Sequence, residues 1–466
     1  MRFLPLLAVL LLLPACRQAE APTPDGAGAA PVEAVAFTDE ETVLYEVFVR
    51  NFSEEGTFAA VTARLDSLQA LGVNTLWLMP IHPISEANRK GTLGSPYAIQ
   101  DYKAVNPLLG TEDDFRALVD ATHARGMKLI IDWVANHTGW DNAWIEEHPD
   151  YYTQNENGEI IIPRDNDGNL TDWTDTADLN YDNPATRAAM IDALTYWVRE
   201  FDIDGYRCDV AGMVPNDFWA DAIDSLRAIK PVFMLAEWST GEVHAAGFDA
   251  SYGWPRYARV KEVWDGEATA QSLVDLVIEE EETYPVGALR MNFTSNHDET
   301  AWDATPLELF GGPDGARAAA TAMLLMPGFP LVYNGQEYAD PQRIPLFEKV
   351  SVSRDQGAET VAMRQFYTDL LAFRASSAVF TQGTMASVAH DQPDAVVAYA
   401  MIHAGSTMLV LVNTRPEAIT VTLEAQLAGA ALRFGEVTPE ASGGEGTAFT
   451  LPGHGYAVLG VGASEA

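Results

Sequence analysis

Between residues 42 and 374, apolar strands and amphipathic helices alternate eight times, and this alternation restricts the fold more than any other feature of the chain. "TVLYEVFV" (42–49), "NTLWLM" (74–79) and "MKLIIDWV" (127–134) read as buried strands, with helical spacing at 57–71 and 112–125 between them. "DGYRCDV" (204–210), "PVFMLAEW" (231–238), a short run near "FDASY" (248–252), "ALRMNFT" (288–294) and "FPLVYNG" (329–335) continue the series. Helical stretches at 185–200, 216–229, a region reaching about 282, and 314–326 separate them, and a last helix covers 359–374. The pattern predicts an α/β chain, a (β/α)8 TIM barrel over 39–378. An open doubly wound sheet would call for a Gly-rich phosphate turn after an early strand, and the sequence has none. Residues 138–183, rich in Trp, Asp, Asn and Gly, form an excursion domain after the third strand. Past 378 only short β runs with turn residues follow, which predicts a C-terminal antiparallel β domain, a β-sandwich, over 379–466.

In a parallel barrel the side chains just past the carboxyl ends of the strands share one mouth. On this map Asp132, Asn136 and His137 follow the third strand, Arg207 and Asp209 the fourth, Glu237 the fifth, and His297 with Asp298 the seventh. Asp209 and Glu237 lie one strand–helix unit apart and therefore top neighbouring strands. Singly, each acid reads as a cap or a solvated loop residue; together, at four strand ends, they read as a site. Three acids at one mouth suit glycosidic bond cleavage. One carboxylate attacks the anomeric carbon, a second carboxyl protonates the leaving oxygen, and a third offsets charge in the oxocarbenium-like transition state. Arg207 is expected to hold Asp209 ionised, and burial beside Trp238 to raise Glu237.

"DWVANH" (132–137), "GYRCDVA" (205–211), "LAEW" (235–238) and "FTSNHD" (293–298) resemble, in order and spacing, the four signature segments of the α-amylase family of retaining glycoside hydrolases, glycoside hydrolase family 13. "YEVFVRNF" (45–52), "SPYAIQDYKAVNPLLGT" (95–111) and "YNGQE" (333–337) add to the likeness, which spans about 40–455. The resemblance implies Asp209 as nucleophile, Glu237 as acid/base and Asp298 as the stabiliser that grips sugar hydroxyls. It implies that Arg207 fixes Asp209, that His137 and His297 hydrogen-bond the sugar at the cleavage point, and that Tyr97 stacks under it. Trp238 would line the subsite beyond the cleaved bond, with Asp132 and Asn136 as structural supports. The implied activity is hydrolysis of α-1,4 links in starch, glycogen or maltooligosaccharides. The same acids would serve a neopullulanase, a cyclodextrin hydrolase or a transglycosylase, and an inactive glucan-binding lipoprotein is a further alternative. No cofactor is implied for the chemistry. Family members often carry a Lys-His pair after the nucleophile that helps a structural calcium; here Gly212 and Met213 stand there, so the metal is left open. "RDNDGNLTD" (164–172) reads as a turn in preference to a Ca²⁺ loop.

Composition sets the partners. A formal charge of −39 disfavours nucleic acid and acidic substrates and leaves a neutral one, which the resemblance implies is an α-glucan. The acid excess, with lysine confined to Lys90, Lys103, Lys128, Lys230, Lys261 and Lys349, reads as halophilic adaptation. "MRFLPLLAVLLLLPAC" resembles a bacterial lipoprotein signal peptide, residues 1–15, which implies lipidation of Cys16. A Pro/Ala/Gly tether, 16–38, follows it. Gln18 in place of an inner-membrane retention Asp favours the outer membrane. Trp133, Trp140, Trp144, Trp173, Trp254 and Trp302 fall in mouth loops or inside strand ends, where about half are expected to contact sugar and Trp133 to be core. Oligomeric state is not legible.

Overall fold

A computed structural model describes residues 41–461 apart from 355–356, 426, 428–429 and 440–445; the signal peptide and the whole tether, Cys16 included, lie outside the described residues. In chain order the strands are β1 (Leu44–Val47), β2 (Thr75–Leu78), β3 (Lys128–Trp133), β4 (His137–Gly139), β5 (Thr176–Asp178), β6 (Gly205–Cys208), β7 (Phe233–Ala236), β8 (Ala250–Tyr252), β9 (Leu289–Asn292) and β10 (Phe329–Tyr333). Eight of these close into a parallel barrel in the order β1-β10-β9-β8-β7-β6-β3-β2, while β4 and β5 pair antiparallel in the excursion. The TIM barrel read from the sequence is therefore present.

Strand alternation decides what the barrel contains. Leu44, Trp77, Ile130, Phe233, Leu235, Ala250, Met291, Phe329 and Leu331 form an apolar cluster of their own inside the ring. One inward step toward the carboxyl ends, the same period brings Glu46, Asp132, Arg207 and Glu237 over that layer. In register, Asp132 pairs with Arg207 across β3 and β6, and Glu46 pairs with Trp77 across β1 and β2. The outward faces, Tyr45, Val47, Leu129, Ile131 and Tyr206 among them, join the larger core beneath the helices. The floor of the mouth is thus greasy and its first layer charged.

The helices follow the periodicity with one correction. The single helix expected at 57–71 is two, Phe58–Thr62 and Leu65–Leu71, separated at Ala63–Arg64. The break is invisible to periodicity because Phe58, Val61, Leu65, Leu68 and Leu71 remain buried across it. Elsewhere residue-level signals fix the ends. A capping box of Thr111 and Asp114 opens Glu112–His123, and Asn183 followed by Pro184 opens Pro184–Phe201 as the chain returns from the excursion.

C-terminal to the barrel, β11 (Thr384–Ser387), β12 (Val396–His403), β13 (Ser406–Asn413), β14 (Ile419–Leu423), β15 (Ala431–Gly435), β16 (Thr438–Pro439), β17 (Thr447–Leu451) and β18 (Tyr456–Val461) make two antiparallel sheets. Val396, Ala398, Leu411, Val421, Phe449 and Leu451 pack between them as a sandwich core. Tyr399 reaches out of the sandwich, its hydroxyl donating to the Ala322 carbonyl of the barrel at 3.0 Å.

Candidate active site

Arg207 is the centre of the mouth. Its side chain is fully buried, and its Nη1 donates to Asp132 Oδ1 at 2.9 Å and to Asp209 Oδ1 at 3.0 Å. Nη2 lies 2.9 Å from Glu237 Oε1, an ion pair whose N–H is not aimed for a hydrogen bond. Nε donates to the Tyr252 hydroxyl at 3.0 Å. One planar guanidinium so spaces three carboxylates from β3, β6 and β7. Glu237 is pinned at its other oxygen, where Oε2 accepts the Val210 backbone N–H at 2.8 Å. Val210 has φ 36° and ψ 46°, a left-handed conformation that a β-branched side chain resists. The turn after Asp209 is thus held in a strained state that aims an amide at the neighbouring acid.

These groups open onto a cavity of about 500 Å³ lined by Tyr97, His137, Asp209, Glu237, Asp298 and Trp173, among others. A slightly larger cavity of about 560 Å³ lies beside Trp144, Tyr151 and Asp192, but it holds none of the converging acids and is not the site of this chemistry. Of the residues singled out from the sequence for the chemistry and for sugar stacking, Tyr97, His137, Trp173, Asp209, Glu237, Asp298 and Trp302 line the reactive cavity. Arg207, Asp132, Asn136 and His297 sit behind it.

His297 is placed differently from the sugar contact expected of it. Its Nδ1 meets Glu46 Oε1 at 2.5 Å, and its Nε2 meets the Tyr97 hydroxyl at 2.7 Å and lies 3.4 Å from Asp298 Oδ2. Burial opposes its charge, but the Asp298 and Glu46 carboxylates outweigh burial and lift its pKa to about 9. As an imidazolium it donates from both nitrogens, so Tyr97 accepts from His297 and donates to Asp132 Oδ2 at 3.1 Å. Trp77 Nε1 donates to the same Asp132 oxygen at 3.2 Å. Glu46 was not anticipated; the available signal was a lone acid on the inward face of an apolar strand. His137 is the opposite case. Burial lowers it to about 3, so a neutral ring faces the cavity, tilted against Trp173 at 5.4 Å.

Arg207, expected to hold Asp209 ionised, does favour its carboxylate but does not set the direction of the shift. Burial first, then the Glu237 charge, pushes Asp209 well up, with Arg207 opposing; burial also raises Glu237. One guanidinium faces three buried carboxylates, and its charge does not cancel the cost of burying them, so both Asp209 and Glu237 are pushed up.

Trp238 lies flat on Gly212: a Cβ there would come within 2.1 Å of the indole, so only glycine admits the stack. This accounts for Gly212 in the turn after Asp209, and it places Trp238 beside Glu237 but outside the cavity lining. Trp133 is buried core, Trp254 packs on Tyr252 and Phe293, and Trp173 and Trp302 line the cavity. Among the described residues no group of three or more His, Cys, Asp or Glu side chains is placed to hold a metal. The 164–172 segment closes as a turn, with Asp165 Oδ1 accepting the backbone N–H groups of Asp167 and Asn169 at 3.0 and 2.8 Å.

A parallel barrel with an excursion after β3 and a pair of carboxylates at the ends of adjacent strands is the architecture of the glycoside hydrolase barrels. Residues 37–229 match the family described as alpha amylase, catalytic domain, and 393–459 match the C-terminal immunoglobulin-like domain of D-apionate lactonase. The crystal structure of an α-amylase from Lactobacillus plantarum is 31% identical, with TM-score 0.78 over 91% of this chain and 99% of that one. A noncanonic maltogenic α-amylase, AmyB, from Thermotoga neapolitana is 29% identical, with TM-score 0.80 over 92% of this chain and 100% of its own. Alpha-amylase MalA from Haloarcula japonica is 31% identical over 91% of this chain, which spans 63% of that relative's length. The chain belongs to the α-amylase family.

Proposed function

We propose that the protein is a retaining α-glucan hydrolase acting on α-1,4-glucosidic bonds of starch, glycogen or maltooligosaccharides. The observation that carries this is Asp209 and Glu237 on the two arms of one buried guanidinium, facing Asp298 across a cavity of sugar dimensions. Asp209 attacks C1 as Glu237 gives its proton to the glycosidic oxygen; the C1–O bond breaks and a glycosyl ester forms on Asp209. Glu237 then takes a proton from water, whose oxygen attacks C1 and releases the Asp209 carboxylate. Asp298, at the rim, accepts sugar hydroxyls, and neutral His137 donates without adding charge. Proton NMR of fresh digests tests the stereochemistry: α-anomeric product supports the pair as nucleophile and acid, and β-product overturns it.

The lipoprotein-type signal supports export and anchoring through Cys16, outside the described residues, to the cell envelope on the outer membrane side. Among the described residues no helix is long and apolar enough to cross a membrane. Cys16→Ala should move the protein from the membrane fraction to the soluble one; unchanged fractionation would contradict anchoring. The acid excess supports a protein adapted to high salt.

A further inference from the structure

We propose that the cavity is closed on its glycon side, so that the enzyme works from non-reducing chain ends, and that Lys90 is the residue that sets this limit. The inference rests on the hydrolase reading above and deepens it. Its starting point is the ring order. Glu237 follows β7, and β7 lies four strands from β1 in either direction around the barrel. The acid must stand beside the leaving oxygen, so the aglycone departs on the β7 side and the glycon extends toward the sector of β10, β1 and β2.

That sector is strapped shut. The loop after β2 lies on the loop after β10: Leu93 N–H donates to the Phe347 carbonyl at 3.0 Å and Thr92 N–H to Glu348 Oε1 at 2.8 Å. Gly91, at φ +61°, packs so tightly that a Cβ would meet Phe347 Cβ at 2.6 Å. From there Lys90 crosses to the excursion. Its Nζ donates to the Asp172 carbonyl at 2.8 Å and pairs with Asp175 at 3.3 Å, a carboxylate with 4% side-chain exposure. Three segments far apart in sequence are thereby joined into one wall. Lys90, Asp175 and Phe347 line the same cavity as Asp209 and Glu237, and Trp302, 62% exposed, edges onto Phe347 at the rim. With two of its contacts made to Asp172 and Asp175, the partly buried ammonium keeps a third N–H for a free hydroxyl of a terminal glucose, and the wall it ties together blocks a chain that continues.

The test compares a maltoheptaoside with the same oligosaccharide capped at its non-reducing end by a 4,6-O-ethylidene group, products being followed by chromatography. Wild type should cleave the capped compound more than about tenfold more slowly than the uncapped one. Lys90→Ala should raise the capped-to-uncapped ratio by about tenfold. Phe347→Ala, which removes the ring under the strap but no charge, should move the ratio the same way. Equal cleavage of both compounds by wild type, or an unchanged ratio in both variants, overturns the inference and leaves the hydrolase reading intact. No cleavage of either compound overturns both.

Discussion

Glu46 and His297, 251 positions apart, meet at 2.5 Å beneath the barrel mouth, and the contact sets the proton order of everything above it. Through the imidazolium it fixes which way Tyr97 donates, and through Tyr97 it supplies Asp132 with a donor. The polar cluster that ends β9 thus works largely as a brace, with Asp298 alone of its ionisable groups lining the cavity.

Glu46→Gln should lower the His297 pKa from about 9 toward the ordinary imidazole value. The folded value lies above the unfolded one, so the stabilisation is complete below about 6.5 and is lost as pH rises through about 9. Burial raises Glu46 despite its partner, so the net gain of the pair is smaller than the His297 shift alone suggests. In the variant the alkaline limb of the kcat/KM profile should move to lower pH. An unmoved limb would separate His297 from the profile.

Asp209→Asn should abolish turnover, with a loss of many orders of magnitude, and raise the melting temperature at neutral pH. Asp209 is pushed up by burial and by Glu237, so the folded protein keeps a proton that the unfolded chain releases. Stability therefore falls as pH rises above the ordinary carboxylate range, and removing the charge relieves that loss. The gain should vanish near pH 4, as paired melting curves would show; a variant less stable at neutral pH would contradict the sign.

Val210→Gly should keep or raise stability, because the left-handed backbone costs a β-branched residue about 1–2 kcal/mol and glycine almost nothing. Turnover should nonetheless fall about tenfold, as the amide that holds Glu237 loosens. Thermal melts with steady-state kinetics check both halves; undiminished kcat would show that the strain has no catalytic purpose.

At a formal charge of −39, raising salt from 0.1 to 2 M should raise the melting temperature by several degrees through screening, on the order of 1–2 kcal/mol. A melting point that is flat or falling with salt would argue against salt adaptation.

Asp209, Glu237 and Asp298 were legible because a barrel makes sequence spacing into geometry: an acid just past each apolar run must face the mouth. Arg207 followed from the same rule. Glu46 obeys it too, but it sits inside β1, where an apolar run hides a single acid. The raised Asp209 was not legible, since it depends on how many carboxylates share one guanidinium. Nor was the strap, whose contact between Thr92 and Glu348 spans 256 positions and arises only when the ring closes. Trp238 lay between these cases: its place beside Glu237 was readable, its stack on Gly212 was not.

The account turns on Asp209 as the nucleophile of a covalent step. Incubation with a fluorinated α-glucosyl fluoride, followed by intact mass and peptide mapping, measures that step directly. The predicted result is one added glycosyl group per chain, carried by the peptide containing Asp209 and lost on Asp209→Asn. A label on another residue, or no label while the substrate is hydrolysed with inversion, would contradict it.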